Sequence, residues 1–81
     1  MNAEKLLFEI YAEYLRRIKN GFSKQQARDF TDKSKWPDSE WDIPEYQNFM
    51  IELNRAGMIK RYIRGAFVLE NAAISFVESR Q

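Results

Sequence analysis

Between Ala3 and Asn20 the apolar residues Leu6, Leu7, Ile10, Tyr11, Tyr14 and Ile18 recur at three- and four-residue spacing, the period of an amphipathic helix. Phe8 and Leu15 widen the stripe. Lys5, Glu9, Glu13, Arg16 and Arg17 fall on the other face, where Lys5/Glu9 and Glu13/Arg17 have the four-residue separation of helical ion pairs. Gly21 marks the stop. Ser23 and Gln26 have capping-box spacing and predict a short second helix from Lys24 to about Phe30, with Phe22, Ala27 and Phe30 turned inward. Thr31 to Asp42 is polar, contains Trp36-Pro37 and shows no sustained period, so it reads as a loop with room for one helical turn.

Asp42 and Glu45 repeat the capping-box spacing, with Pro44 in the first turn where its missing N–H costs nothing. They predict a third helix ending at Ala56 before Gly57, with Tyr46, Phe49, Met50, Leu53 and Ala56 in the core. Met58 to Ile63, Arg64-Gly65 and Ala66 to Leu69 read as a β-hairpin. Two registers fit. One sets Tyr62 opposite Phe67; the other lengthens the loop by a residue and sets Ile59 opposite Leu69 and Arg61 opposite Phe67. Asn71 is placed to cap a last helix through about Glu78 that buries Ile74, Phe76 or Val77.

Composition narrows the chemistry. At 81 residues and 44% apolar, with two Trp, four Tyr and six Phe, the chain is expected to form one globular domain spanning residues 1–81. It has no Cys and no His, which removes thiol nucleophiles, disulfides, imidazole bases and the usual zinc ligands. No cofactor is expected. No apolar run reaches a membrane span, and Glu4, Lys5 and Glu9 interrupt any signal-peptide core, so the expectation is a soluble, cytoplasmic protein with no membrane partner. The net charge of +1 conceals segregation: Trp36 to Ala56 holds five acidic residues and one basic, and the other segments are basic.

The order is three helices, a hairpin and a short helix. The stretch LNRAGMIKRYIRGAFVLENAAISFVE, Leu53 to Glu78, resembles the end of a winged helix-turn-helix domain. The matching features are an apolar helix end, Gly57, the strand Met58-Ile59, the turn at Gly65 and the return through Phe67-Val68-Leu69. Glu70 stands where many members have Thr, and Ala73 where they often have Gly. The resemblance implies a mainly α fold with a three-helix core, a two-stranded wing and a short C-terminal helix. It also implies binding of double-stranded DNA, with helix 42–56 in the major groove and wing 58–69 beside the backbone, as in a small transcriptional regulator.

The residues supply a matching constellation. Opposite its apolar side, the third helix places Ile51 and Arg55, with Gln47, Asn48 and Asn54 nearby. Gln, Asn and Arg make paired hydrogen bonds to purine edges, and an aliphatic side chain meets the thymine methyl. Lys60, Arg61 and Arg64 on the wing, and Lys24 and Arg28 on the second helix, with Lys33 and Lys35 beyond it, are candidate phosphate contacts. Roughly six or seven such contacts would make affinity fall steeply with salt. Asp38, Glu40, Asp42, Glu45 and Glu52 oppose that reading by bringing negative charge toward the phosphates.

Other sites fare worse. Asp38, Glu40 and Asp42 mimic the first ligands of an EF-hand, but Ile43 replaces its Gly and Phe49 its closing Glu, so no metal site is expected. Asp29 and Asp32, or the same trio, could serve as paired carboxylates, although nothing sets two of them on facing rigid elements; the chain is not expected to be an enzyme. The alternative is a protein-interaction module in which Trp36, Trp41 and Glu40 anchor a partner. The competing expectation for the tryptophans is that they close the open side of a small core.

Overall fold

The computed structural model describes residues 1–80, so Gln81 of the expected domain lies outside the described residues. Helix α1, Ala3–Lys19, begins where Asn2 Oδ1 accepts from the Lys5 amide at 2.8 Å. It ends where Gly21, at φ +94°, lets the Phe22 amide turn back to the Arg17 carbonyl at 3.0 Å. Leu6, Leu7, Ile10, Tyr11 and Tyr14 are buried along it, whereas Phe8 and Leu15 stay exposed.

The capping box of Ser23 and Gln26 forms in both directions, yet helix α2 is one turn, Lys24–Ala27, and does not reach Phe30. The neighbouring strand explains the early end. The Leu69 amide donates to the Arg28 carbonyl at 2.9 Å, and Asp29–Phe30 becomes strand β1, pairing with the strand that contains Phe67 and Val68. Burying Phe30 against Phe67, rings parallel and 5.0 Å apart, outweighs another turn of a short polar helix. Phe22 stays exposed, contrary to the sequence expectation.

Two single-turn 3-10 helices, Lys33–Lys35 and Ser39–Asp42, occupy the expected loop, started by the Asp32 and Asp38 carboxylates. They fold the tryptophans inward. Trp41 is 1% exposed and tilts against Phe30, Trp36 and Phe67, while its indole donates to Glu9 at 3.2 Å. Half-buried Trp36 donates its indole N–H to the Phe30 carbonyl at 2.9 Å. The segment thus closes the side of the core that the four-residue α2 leaves open.

Helix α3, Pro44–Arg55, starts two residues later than expected. Ile43, not Asp42, is its cap residue, and no side chain bonds to its first turn. Tyr46, Met50 and Leu53 are buried, Phe49 is half-buried and Ala56 is exposed, a correction at the last position. Strands β2, Ile59–Arg61, and β3, Phe67–Leu69, adopt the longer-loop register, Ile59 opposite Leu69 and Arg61 opposite Phe67. The other register would turn Lys60 toward the core in place of Ile59. Strand order is β1-β3-β2, all antiparallel, so the two-stranded wing of the sequence reading is part of a three-stranded sheet.

Helix α4, Asn71–Glu78, has Glu70 rather than Asn71 at its cap position, and no side-chain cap bond. It buries Ile74 and Val77 against the core, half-buries Phe76 and receives the Tyr11 hydroxyl at Glu78, 2.9 Å away. The chain is therefore mainly α with a small three-stranded antiparallel sheet. No helix among the described residues is long and apolar enough to cross a membrane.

Candidate nucleic-acid interface

The helical period sends Tyr46, Met50 and Leu53 of α3 inward and leaves Asn48, Ile51 and Arg55 on the opposite side, at spacings of three and four residues. Asn48 and Arg55 are exposed and Ile51 is half-buried. None of the three side chains makes a hydrogen bond or ion pair among the described residues. They form a continuous polar-apolar-cationic strip.

Gln47 is not free in this way. Its amide nitrogen donates to the Trp41 carbonyl at 3.1 Å, and its oxygen accepts from Arg61 Nη2 at 3.0 Å. Arg61 also sends its backbone N–H to Asn54 Oδ1 at 3.1 Å, and its Nε is buried without a partner. Two side chains suited to base edges, Gln47 and Asn54, thus fasten β2 to α3. On the helix wheel these look like surface positions, and only the long-range pairing of β2 reveals their work.

The turn joining β2 to β3 completes the fastening. Arg64 and Gly65 stand at φ +62° and +79°, both in the left-handed region. A Cβ on Gly65 would stand 3.1 Å from Gln47 Oε1, so a larger residue there is strained by its positive φ and must also displace the Gln47 side chain. The Lys33 ammonium bridges Asp42 Oδ1 at 2.6 Å and the Arg64 carbonyl at 2.8 Å. Lys33 neutralises Asp42 there, leaving that carboxylate less able to repel an approaching anion.

The remaining acids are distributed unevenly. The Tyr46 phenol is pushed up, first by burial and then by Glu40, Glu9, Asp38 and Glu45. Asp38 lines a cleft with Glu9, Ala12, Glu13 and Arg16 of α1. Glu45 and Glu52 lie along the edge of the strip opposite Gln47 and Asn54.

The candidate cations separate into two groups. Lys60, Arg61 and Arg64 belong to the hairpin beside α3; Lys60 points to the outer sheet face and sits 5.7 Å from the Tyr62 ring. Lys24 and Arg28 belong to the far edge of the sheet, beside β1, where Arg28 Nε donates to the Leu69 carbonyl at 2.7 Å. Lys35 remains exposed, 4.0 Å from Asp32. The structure thus brings the β2–β3 hairpin to α3 and leaves α2 across the sheet from it.

The acids weighed for other chemistry cap turns. Asp29 Oδ1 accepts from the Thr31 amide and hydroxyl, and Asp32 Oδ1 from those of Ser34; these bonds hold both carboxyls below their ordinary range. That is the wrong direction for a general acid. A cavity of about 640 Å³ beside them sets Arg16, Arg17 and Lys35 against Glu13, Asp29 and Asp32. No group of three or more metal-ligating side chains occurs among the described residues.

Missed in the sequence reading is a buried pair. Glu13 and Arg17, assigned there to a solvated face, are 5% and 6% exposed. Arg17 Nε donates to Glu13 at 3.0 Å, its Nη1 donates to the Asp29 carbonyl at 2.7 Å, and its guanidinium lies 4.2 Å over the Phe30 ring. This cation is structural, joining α1 to β1. No protein-family model, curated protein or solved structure matches this chain.

Proposed function

We propose that the domain binds double-stranded DNA as a winged helix-like module, with α3 in the major groove and the hairpin as the wing. The order β1-β3-β2, with α3 leading directly into β2, supports that architecture. The observation that carries the binding reading is the unpartnered Asn48, Ile51 and Arg55 strip beside a hairpin bearing Lys60 and Arg64.

In this reading Arg55 and Asn48 hydrogen-bond to purine edges, and Ile51 meets a thymine methyl. Lys60 and Arg64 contact phosphates and set the register. Gln47 and Arg61 act from behind, holding the wing at a fixed angle to α3. Lys24 and Arg28 meet the duplex only if it curves around the sheet. A small transcriptional regulator is the role that fits such a module.

The test is titration of a labelled mixed-sequence duplex at two salt concentrations. Binding should weaken steeply as salt rises, because each phosphate contact releases condensed counterions. Absence of binding at low salt would reject the proposal.

A further inference from the structure

At the apex of the hairpin Ile63 is 82% exposed, the most exposed of the large apolar residues described. A lone exposed isoleucine needs no explanation on an ordinary surface. This one stands on a braced and strained turn. The Tyr62 amide donates to the Ala66 carbonyl at 2.8 Å, the Ala66 amide to the Ile63 carbonyl at 3.3 Å, and Lys33 clamps the Arg64 carbonyl. Arg64 is the only residue other than glycine at positive φ among those described, a conformation that L side chains adopt at a cost in strain. The surroundings maintain that geometry and present Ile63 to solvent.

Its neighbours are cations and an aromatic ring. Arg64 is exposed beside it, Tyr62 is 49% exposed, and Lys60 lies against the Tyr62 ring on the outer face. The apex is also placed relative to α3. The hairpin leaves the last turn of α3 and runs back until Arg61 and Gly65 meet Gln47 in its first turn.

Resting on the DNA reading above, we infer that Ile63 is a wedge that enters the minor groove next to the major groove filled by α3. It partly unstacks one base step and bends the duplex. Arg64 and Lys60 supply the positive charge that a narrow minor groove attracts, and the apolar side chain enters between bases as wedge residues do. Flexible pyrimidine-purine steps are the preferred point of entry, since they cost least to unstack.

The experiment measures end-to-end energy transfer in a dye-labelled duplex at saturating protein, for wild type, Ile63→Ala and Arg55→Ala. Circular dichroism confirms that each variant is folded. Wild type should raise the transfer, and Ile63→Ala should return it to near the free-duplex value. Arg55→Ala should weaken binding but reach the wild-type value at saturation. The Ile63→Ala affinity deficit, about tenfold on intact duplex, should shrink on a nicked, pre-flexible duplex, where the bend costs less.

Equal transfer for wild type and Ile63→Ala, or a straight duplex in the wild-type complex, overturns the wedge while leaving DNA binding in place. No binding of duplex by wild type fails the DNA reading itself, and the wedge with it. Binding of wild type to vesicles of phosphatidylserine and phosphatidylcholine, lost in Ile63→Ala, combined with a straight duplex would reassign the apex to a lipid surface.

Discussion

Arg61 Nη2 donates to Gln47 Oε1 at 3.0 Å, and this bond sets the β2–β3 hairpin against α3. The same Gln47 amide reaches the Trp41 carbonyl, so one side chain joins the tryptophan segment, the helix and the hairpin. Replacing Gln47 with Ala would leave Nη2 of Arg61 without this partner beside an Nε that already has none. The expected loss of stability is about 1–3 kcal/mol, read from urea unfolding. Gln47→Glu should recover only part of the loss, because the carboxylate accepts from the guanidinium but no longer donates to the Trp41 carbonyl. An unchanged midpoint in Gln47→Ala would show that the side chain is free and available to a ligand.

The Glu13–Arg17 pair predicts a second outcome. Its side chains are nearly removed from water, but Arg16 still donates twice to Glu13 when Arg17 is replaced, so Arg17→Met should destabilise by about 1.5–3 kcal/mol through the lost bonds to Glu13 and the Asp29 carbonyl. Glu13→Gln should cost less, because the amide oxygen still accepts a hydrogen bond. The Glu13 carboxyl lies below its ordinary range because Arg16 and then Arg17 donate to it, against the opposing effect of burial. Its lowered folded-state value means that its stabilising contribution is complete above the ordinary carboxylate range, about pH 4 to 4.5. It is lost as pH falls through the folded-state value. Asp29 and Asp32 act with the same sign. Urea midpoints should hold from neutral pH down to that range and fall below it, less steeply in Glu13→Gln.

The tryptophans offer a third check. Trp41 packs among Phe30, Trp36 and Phe67, so Trp41→Ala should cost about 3–5 kcal/mol and Trp41→Phe distinctly less. Emission from a Trp36→Phe variant should be blue-shifted and resist quenching by acrylamide. Red-shifted, readily quenched emission would return Trp41 to the surface as a partner anchor.

These residues also show where sequence reading succeeded and stopped. The periods of α1 and α3, the glycine stops and the capping box of α2 are local signals, and the helices start or stop near them. Strand β1 has two residues and exists because distant β3 captures it, so no period could announce it. Glu13 and Arg17 look solvated when only residue type is read. At about 100° per residue, however, Arg17 projects between Leu6 and Ile10 and Glu13 beside Leu6, so the helical period itself sets the pair at the buried side, where β1 meets it. Asn48 and Arg55 are legible as surface positions because nothing folds over them, with Ile51 half-buried between them. Gln47 was misleading because its partner lies fourteen residues away on a strand whose register the sequence left open.

The electrostatic edge of the strip makes a fourth prediction. Glu45→Gln should tighten duplex binding, by about 0.5–1 kcal/mol at low salt, since a carboxylate near phosphates opposes association. Arg55→Ala should weaken binding by about 1–3 kcal/mol and relax preference at one base pair. Titrations on a preferred and a scrambled duplex measure both effects. Equal affinity of Glu45→Gln, Arg55→Ala and wild type would place the duplex elsewhere on the surface.

The most direct test of the central claim is amide and side-chain chemical-shift mapping as unlabelled duplex is added to isotope-labelled protein. The account predicts shifts concentrated at Asn48, Ile51 and Arg55 and along the hairpin from Lys60 to Arg64, with α4 and the first turns of α1 unchanged. No shifts on the Asn48–Arg55 strip, or shifts centred on α4 or on the acidic side near Asp38 and Glu40, would contradict it.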